Sequence, residues 1–376
     1  MISRLYLDHY VSSIPKKNES VCGDVFSVER QSSHTLFVLC DGMGSGIKAN
    51  IAANMCCERI KKLSAGGLSL RKIFERMSSE MERSKTSRGL YCSFCAAVLL
   101  PDGKTTAAAY EMPMPFMLGA GGGWFCVKYE SLGPFDEANF ILRENDALCF
   151  VSDGITQAGM GAGGALGVKG ALSILNSLLH KTMLADIARR FTLKAKEISG
   201  DFDDDTTAAV LFCRRPNALC VFSGPPLSKE DDEKAVGRLL AFEGRKAVCG
   251  STTIEIFCRV TGRKPKTDAS FFTDFMPPEY EVEGLDFASE GAITLNQCFN
   301  ILGDKRLLRQ AATPPARLAN LLNSSDIICF IEGMSVNKGH EDIIFKQMGI
   351  LPRKEIIYKI SETLMRCDKI VCREEI

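Results

Sequence analysis

The chain has 376 residues, with 46 Lys and Arg against 46 Asp and Glu, 45% hydrophobic and 24% charged residues. That length predicts two domains at about 100 to 200 residues each, and the average apolar fraction excludes a disordered, collagenous or polytopic membrane protein. Zero net charge removes the general attraction behind sequence-independent binding to nucleic acid or anionic membranes, so neither is an expected partner.

Residues 1–13 lack the apolar core of about 7–15 residues that a signal peptide needs, and no run reaches the ~18 of a spanning helix, so a cytoplasmic protein is expected. Thr35–Cys40 predicts a strand running into Asp41-Gly42. A helix is predicted from about Gly46 to Leu63, with Ile47, Ile51 and Met55 at i, i+4, i+8 beside Ala52, Cys56 and Ile60 as its apolar stripe. Leu68–Ser84 predicts a second helix. Tyr91–Leu100 and Lys104–Tyr110 predict a hairpin turning at Pro101-Asp102-Gly103. The Gly- and Pro-broken run Ala107–Val127 reads as strands and turns. Ala147–Val151 predicts a buried strand, Gly167–Leu179 and Met183–Ser199 helices, and Thr206–Cys213 a closing strand. Strands outnumber the helices that could cross them over, which favours antiparallel pairing.

Arg214-Arg215-Pro216-Asn217 interrupts this pattern and marks the expected boundary, with domains at 1–215 and 216–376. Beyond it, strands are predicted at Ala218–Phe222, Lys246–Cys249, Ile327–Ile331 and Lys369–Cys372. Helices are predicted from Ser228, as a cap, to about Phe242 and over Lys354–Arg366. Alternation of the two implies a smaller α/β domain.

Sixteen cysteines in a long chain without a signal predict reduced thiols, most of them serving as small core hydrophobes. The CxxC Cys92-Ser93-Phe94-Cys95 lies in a predicted strand, which turns its two thiols to opposite faces and argues against a zinc or redox pair. Only His9, His34, His180 and His340 are present, so any metal site must rely on oxygen or sulfur ligands.

Four acidic clusters fall at the ends of apolar strands: Gly23-Asp24, Asp41-Gly42, Asp153-Gly154 and Asp203-Asp204-Asp205. Carboxylates that converge repel one another unless cations hold them, so convergence implies hard divalent ions such as Mg²⁺ or Mn²⁺. Two ions about 3.5–4 Å apart can lower the pKa of a water and drive in-line attack on phosphorus. The residues alone thus point to metal-assisted phosphoester hydrolysis, against the plainer reading that Asp-Gly marks turns, as at Asp102-Gly103.

The run Asp41-Gly42-Met43-Gly44-Ser45-Gly46-Ile47-Lys48-Ala49 resembles the DGMGxGxxA signature of the stage II sporulation protein E group of metal-dependent serine/threonine phosphatases, within the PPM superfamily. Gly23-Asp24, Asp153-Gly154 and the DDxT-like Asp204-Asp205-Thr206-Thr207 follow the family order, so the resemblance covers residues ~1–215. It implies an α+β fold, an α-β-β-α sandwich of two mostly antiparallel sheets flanked by helices, with two Mn²⁺ or Mg²⁺ ions at one end. Carried over by position, Asp24 and Asp41 would flank the metals, Gly42 would offer its carbonyl, and Asp153 and Asp204 would complete the site. Gly44, Gly154 and Asp205 flank it, and Asp203 and Asp205 leave the last register open by one. The implied substrate is a phosphorylated protein, in this group a small anti-anti-sigma-type protein, and an oligomer is compatible with the pattern. Larger relatives carry a phosphate-holding Arg and a His acid; no Arg falls close before Gly23-Asp24, and only His9 or His34 stands in the region as an acid. Gly159–Gly170 predicts a mobile flap.

Gly44-Ser45-Gly46-Ile47-Lys48-Ala49 also fits a dinucleotide fingerprint, but the acidic residue needed ~20 positions on is replaced by Ser64-Ala65-Gly66-Gly67. Gly250-Ser251-Thr252-Thr253 reads as a helix start, with Ser251 or Thr252 as its cap, more readily than as an anion cradle. The rival readings are a catalytically silent scaffold of phosphatase fold, and a bifunctional protein whose C-terminal domain, expected to be regulatory or partner-binding, takes a nucleotide or other ligand.

Overall fold

The computed structural model describes residues 4–87, 91–160, 164–179, 181–200, 204–268, 277–304, 306–307, 313–335 and 349–376. The chain divides into two compact units, one holding residues 4–29 and Ser33–Arg215, the other Arg30–Ser32 and Pro216–Ile376.

In the first unit, β1 (Tyr6–Ile14), β2 (Asp24–Arg30) and β3 (Thr35–Gly42) lead into α1 (Gly46–Ala65) and α2 (Leu70–Ser87). There follow β4 (Cys92–Leu99), β5 (Lys104–Tyr110), β6 (Phe116–Leu118), β7 (Trp124–Cys126), β8 (Glu130–Ser131), β9 (Asp136–Ile141) and β10 (Ala147–Val151). The short α3 (Asp153–Thr156), then α4 (Gly167–Leu179), α5 (Leu184–Ser199) and β11 (Thr206–Arg214) complete it. Among the described residues one sheet runs β1-β11-β10-β6-β7 and the other β2-β3-β4-β5-β9-β8, and the pairs from β1 to β7 in the first and from β3 to β8 in the second are antiparallel.

Alternation along the strands builds the layers, because successive side chains point to opposite faces. Phe37 and Leu39 of β3 meet Leu148 and Phe150 of β10 and Ala209 and Leu211 of β11 between the sheets. Leu36, Val38 and Cys40 turn outward onto Ile60 of α1 and Phe74 of α2. On the other side Cys149, Val151 and Val210 pack against Leu175 of α4 and Phe191 of α5. The result is the helix-sheet-sheet-helix sandwich the motif resemblance implies.

The α1 stripe is a correction. Ile47, Ile51 and Met55 are 64%, 50% and 58% exposed, while Ala49, Ala52, Ala53, Cys56, Cys57 and Ile60 are buried. Small residues let the helix lie close to β3, so the larger side chains of the same apolar arc are left on the solvent side. Cys92 and Cys95 do face opposite ways, Cys92 towards the helices and Cys95 between the sheets. Of the predicted flap, residues 161–163 lie outside the described residues, and Gly167–Gly170 form the first turn of α4 rather than a loop.

The second unit comprises β12 (Ala218–Ser223), α6 (Asp232–Leu240), β13 (Arg245–Cys249), α7 (Ser251–Thr261), β14 (Lys266–Asp268), β15 (Glu279–Glu281) and β16 (Phe287–Ser289). It continues through α8 (Ala292–Ile301), α9 (Pro314–Asn323), β17 (Ile327–Glu332), α10 (Arg353–Arg366) and β18 (Ile370–Glu375). Its sheet order is β14-β15-β16-β13-β12-β17-β18, parallel from β16 to β18 and antiparallel at β14 and β15. Ser228 accepts a hydrogen bond from Glu230 N at the start of a 3₁₀ turn before α6. At α7 the cap position falls to Gly250, so neither Ser251 nor Thr252 caps the helix; Thr253 Oγ1 instead accepts from Gly224 N at 2.9 Å. No helix among the described residues is long and apolar enough to cross a membrane.

Candidate metal centre

Four strand ends meet at one edge of the sandwich. Asp24 opens β2, Asp41 and Gly42 end β3, Asp153 opens α3 directly after β10, and Asp204-Asp205 lead into β11. Glycines make the meeting close. A Cβ on Gly42 would stand 1.9 Å from Ala49 O in α1, and one on Gly154 would stand 2.0 Å from Asp205 O. A Cβ on Gly23 would meet Asp205 Oδ2 at 2.8 Å and Ala49 Cβ at 2.9 Å. Gly44, with φ of 101° in the turn between β3 and α1, takes a conformation that side-chain-bearing residues avoid. The Asp-Gly pairs at the site are therefore close-packing devices, unlike the turn at Asp102-Gly103.

Hydrogen bonds hold the ends in register. Ser152 N donates to Thr207 O at 3.0 Å, and Thr207 N donates to Ser152 Oγ at 2.9 Å. Lys16 N donates to Asp205 Oδ1, and Asp205 N donates to Asp204 Oδ1, each at 2.9 Å. Asn50 Nδ2 of α1 donates to Cys22 O at 2.8 Å, just before Asp24. Gln157 Nε2 fixes one oxygen of Asp153 at 2.7 Å. Sequence reading missed one supporting residue, Lys196 of α5, whose Nζ donates to Asp204 O at 2.6 Å and Pro15 O at 3.2 Å. The i, i+8 distance from Lys196 to Asp204 spans a helix end and a turn, which no short motif records.

Charge accumulates where these groups meet. Burial, then the charges of Asp24 and Asp153 and a contact with Asp153, push Asp41 up to about 10, and Asp204 adds to it. Asp24 is pushed up to about 6, first by burial and then by Asp205 and Asp153, with the hydroxyls of Thr207 and Ser152 acting in the opposite sense. Asp204 is raised by burial and by Asp153 and Asp205, with Lys16 opposing. Both oxygens of Asp24 and Oδ2 of Asp205 are buried, and the Thr207 and Ser152 hydroxyls lie near Asp24 without closing a well-formed hydrogen bond on it. Orphaned buried carboxylate oxygens of this kind fit hard divalent cations, which such a donor set suits and whose charge would relieve the repulsion.

Asp204 and Asp205 divide their duties: Asp205 is buried and bound to Lys16 N, whereas Asp204 is half-buried with Oδ1 on Asp205 N. Asp203 lies outside the described residues. Neither candidate acid reaches the site. His34 precedes β3 at the end opposite Asp41, about 20 Å away along the strand at ~3.3 Å per residue, and its ring nitrogens meet Ser33 Oγ at 2.9 Å and Ser64 Oγ at 3.0 Å. His9 pairs with Leu211, five residues along β11 from Thr206 and so roughly 15 Å from the site end.

Fold and acidic strand ends together match the pattern of a phosphatase-type domain. The family model of stage II sporulation protein E (SpoIIE) matches residues 31–214, just under half of the chain and most of the first unit. Among solved structures, this chain is similar to the RsbU and RsbW domains of a Mycobacterium tuberculosis protein, at 16% identity and TM-score 0.48 over 63% of this chain and 68% of that one. It is similar to the phosphatase domain of Bacillus subtilis SpoIIE, at 16% identity and TM-score 0.43 over 57% and 94%. A serine/threonine phosphatase of S. agalactiae gives 16% identity and TM-score 0.42 over 55% and 99%. No curated protein matches the chain in sequence.

Proposed function

We propose that the first unit hydrolyses phosphoserine or phosphothreonine on a protein partner, using two divalent ions, Mn²⁺ or Mg²⁺. The observation that carries this is the convergence of Asp24, Asp41, Asp153 and Asp204 on one edge, with buried carboxylate oxygens left unpartnered. Asp24 and Asp41 would hold both ions, the Gly42 carbonyl would add a neutral oxygen, and Asp153 and Asp204 would complete the set. When bound, the ions supply Lewis acidity and a water of lowered pKa at neutral pH. Gln157 orients Asp153, the Lys16 N–H and Lys196 fix the Asp204-Asp205 loop, and the close packing at Gly42 and Gly154 keeps the carboxylates in place.

We infer that the partner is a phosphorylated regulatory protein of the anti-anti-sigma type and that the protein acts in the cytoplasm. We infer also that the second unit receives a signal or binds a partner. Its parallel strands run in the order β16-β13-β12-β17-β18, which reverses between β12 and β17, and such a switch point is where open α/β sheets bind ligands. That supports a ligand-responsive regulator, and a thermal-shift screen with nucleotides tests it, because a specific ligand raises the melting temperature by mass action.

The catalytic reading is tested with p-nitrophenyl phosphate and a phosphoserine protein, in Mn²⁺, Mg²⁺ or chelator, comparing wild type with Asp41→Asn and Asp153→Asn. Mn²⁺- or Mg²⁺-dependent turnover that both variants lose supports it. A folded full-length protein that binds Mn²⁺ and turns over nothing, alone or after removal of residues 217–376, returns the scaffold reading.

A further inference from the structure

Cys40 of β3, Cys56 of α1 and Cys92 of β4 bring their three Sγ atoms within 4.8 Å of one another in the core beneath the helices. Three elements far apart in sequence supply them, so no motif announces the group. It faces away from the acidic strand ends yet adjoins them: Cys40 precedes Asp41, and Cys92 is the register partner of Gly42. A cleft of about 450 Å³ between α1 and α2 is lined by Cys56 and Cys92 and by the thioether-bearing Met55, Met77 and Met81, giving a path from solvent.

We propose that Cys40, Cys56 and Cys92 form a second, soft metal site, separate from the carboxylate centre, that takes one thiophilic ion of the Cu⁺ or Zn²⁺ class. Thiolate and thioether donors select such ions over Mg²⁺ or Mn²⁺. At a metal–sulfur distance of about 2.3 Å, a three-coordinate ion needs sulfurs ~4 Å apart, so the thiols need close by no more than about 0.8 Å. Loading forms three metal–sulfur bonds and releases the three thiol protons to solvent, with no change in oxidation state. The ion ties α1 to the end of β3 that carries Asp41 and Gly42 and to the adjoining end of β4.

The test uses the full chain with exposed Cys126 and Cys367 replaced by Ser, to remove adventitious surface thiols. The protein is loaded anaerobically with Cu⁺ or with Zn²⁺ and dialysed against a competing chelator, and retained metal is counted. One equivalent of either ion, reduced at least tenfold by Cys56→Ser or Cys92→Ser and unchanged by Cys95→Ala on the opposite face, is expected; the ion retained names the occupant. Retention that ignores Cys56→Ser and Cys92→Ser, or no retention of either ion, overturns the site. If those variants do not fold, X-ray absorption of the loaded Cys126→Ser/Cys367→Ser protein decides: three sulfurs at about 2.3 Å support the site, and a shell of oxygen or nitrogen overturns it.

Discussion

Gly154 and Asp205 touch through their backbones: a Cβ on Gly154 would lie 2.0 Å from the Asp205 carbonyl oxygen and 3.2 Å from Thr206 Oγ1. The third and fourth acidic motifs are thus packed as one unit. Gly154→Ala is expected to separate Asp153 from Asp204, with metal-dependent turnover falling at least tenfold and stability by about 1–3 kcal/mol, the usual cost of overpacking. Gly121→Ala, at a position with no heavy atom within 4 Å of the new Cβ, is the control expected to change neither. Equal turnover and equal melting temperature for the two variants would refute the contact.

Without metal, the acidic edge should make stability fall as pH rises. Asp24 and Asp41 are held above their ordinary values, to about 6 and about 10, so the folded state binds more protons than the unfolded one between those values and the usual carboxylate range. Below about pH 4 both states are protonated and there is no penalty; above it the penalty grows, through pH 6 for Asp24 and on towards 10 for Asp41. In chelator the melting temperature is expected to drop by roughly 5 °C or more from pH 5 to pH 8. Mn²⁺ should flatten the slope, and Asp41→Asn in chelator should flatten it too. A chelated wild type that melts higher at pH 8 would count against this reading of the site.

The face of α1 that packs is the small one. Ile47→Ser and Ile51→Ser are expected to leave stability within about 0.5 kcal/mol, as for exposed positions generally, whereas Ala53→Leu, wholly buried against the β3–β4 layer, should cost about 1–3 kcal/mol. Thermal or urea unfolding ranks the three, and the reverse order would place the helix the other way round.

That helix shows where sequence reading runs out. Strands such as Ala147–Val151 and helices such as Gly167–Leu179 are legible because burial on both faces, or a stripe at helical period, leaves one reading. α1 is apolar over a wider arc than it buries, so periodicity finds the helix but not its inward side. β1 is harder still: Tyr6–Ile14 mixes Asp8, His9, Ser12 and Ser13 with apolar residues, and it becomes a strand through nine paired positions along β11. The candidate acidic site is legible because each carboxylate sits at a strand end, three of them beside a glycine. Lys196 and the Cys40, Cys56 and Cys92 group are not, since only folding brings their elements together.

Lys196 gives the sharpest test of how the site is held. Its Nζ donates to the carbonyls of Asp204 and Pro15, which anchors the Asp204-Asp205 loop to the residues around Lys16. The side chain acts on the loop and not on substrate, so Lys196→Met should weaken Mn²⁺ binding about 10- to 100-fold, the range found when groups that orient ligands are lost. Turnover at saturating Mn²⁺ should largely recover, and Lys196→Arg, which still donates, should lie between. Mn²⁺ titration of activity and of melting temperature separates the two effects. Loss of turnover that no concentration of Mn²⁺ restores, in a variant that still binds the ion normally, would assign Lys196 to the chemistry instead of the loop.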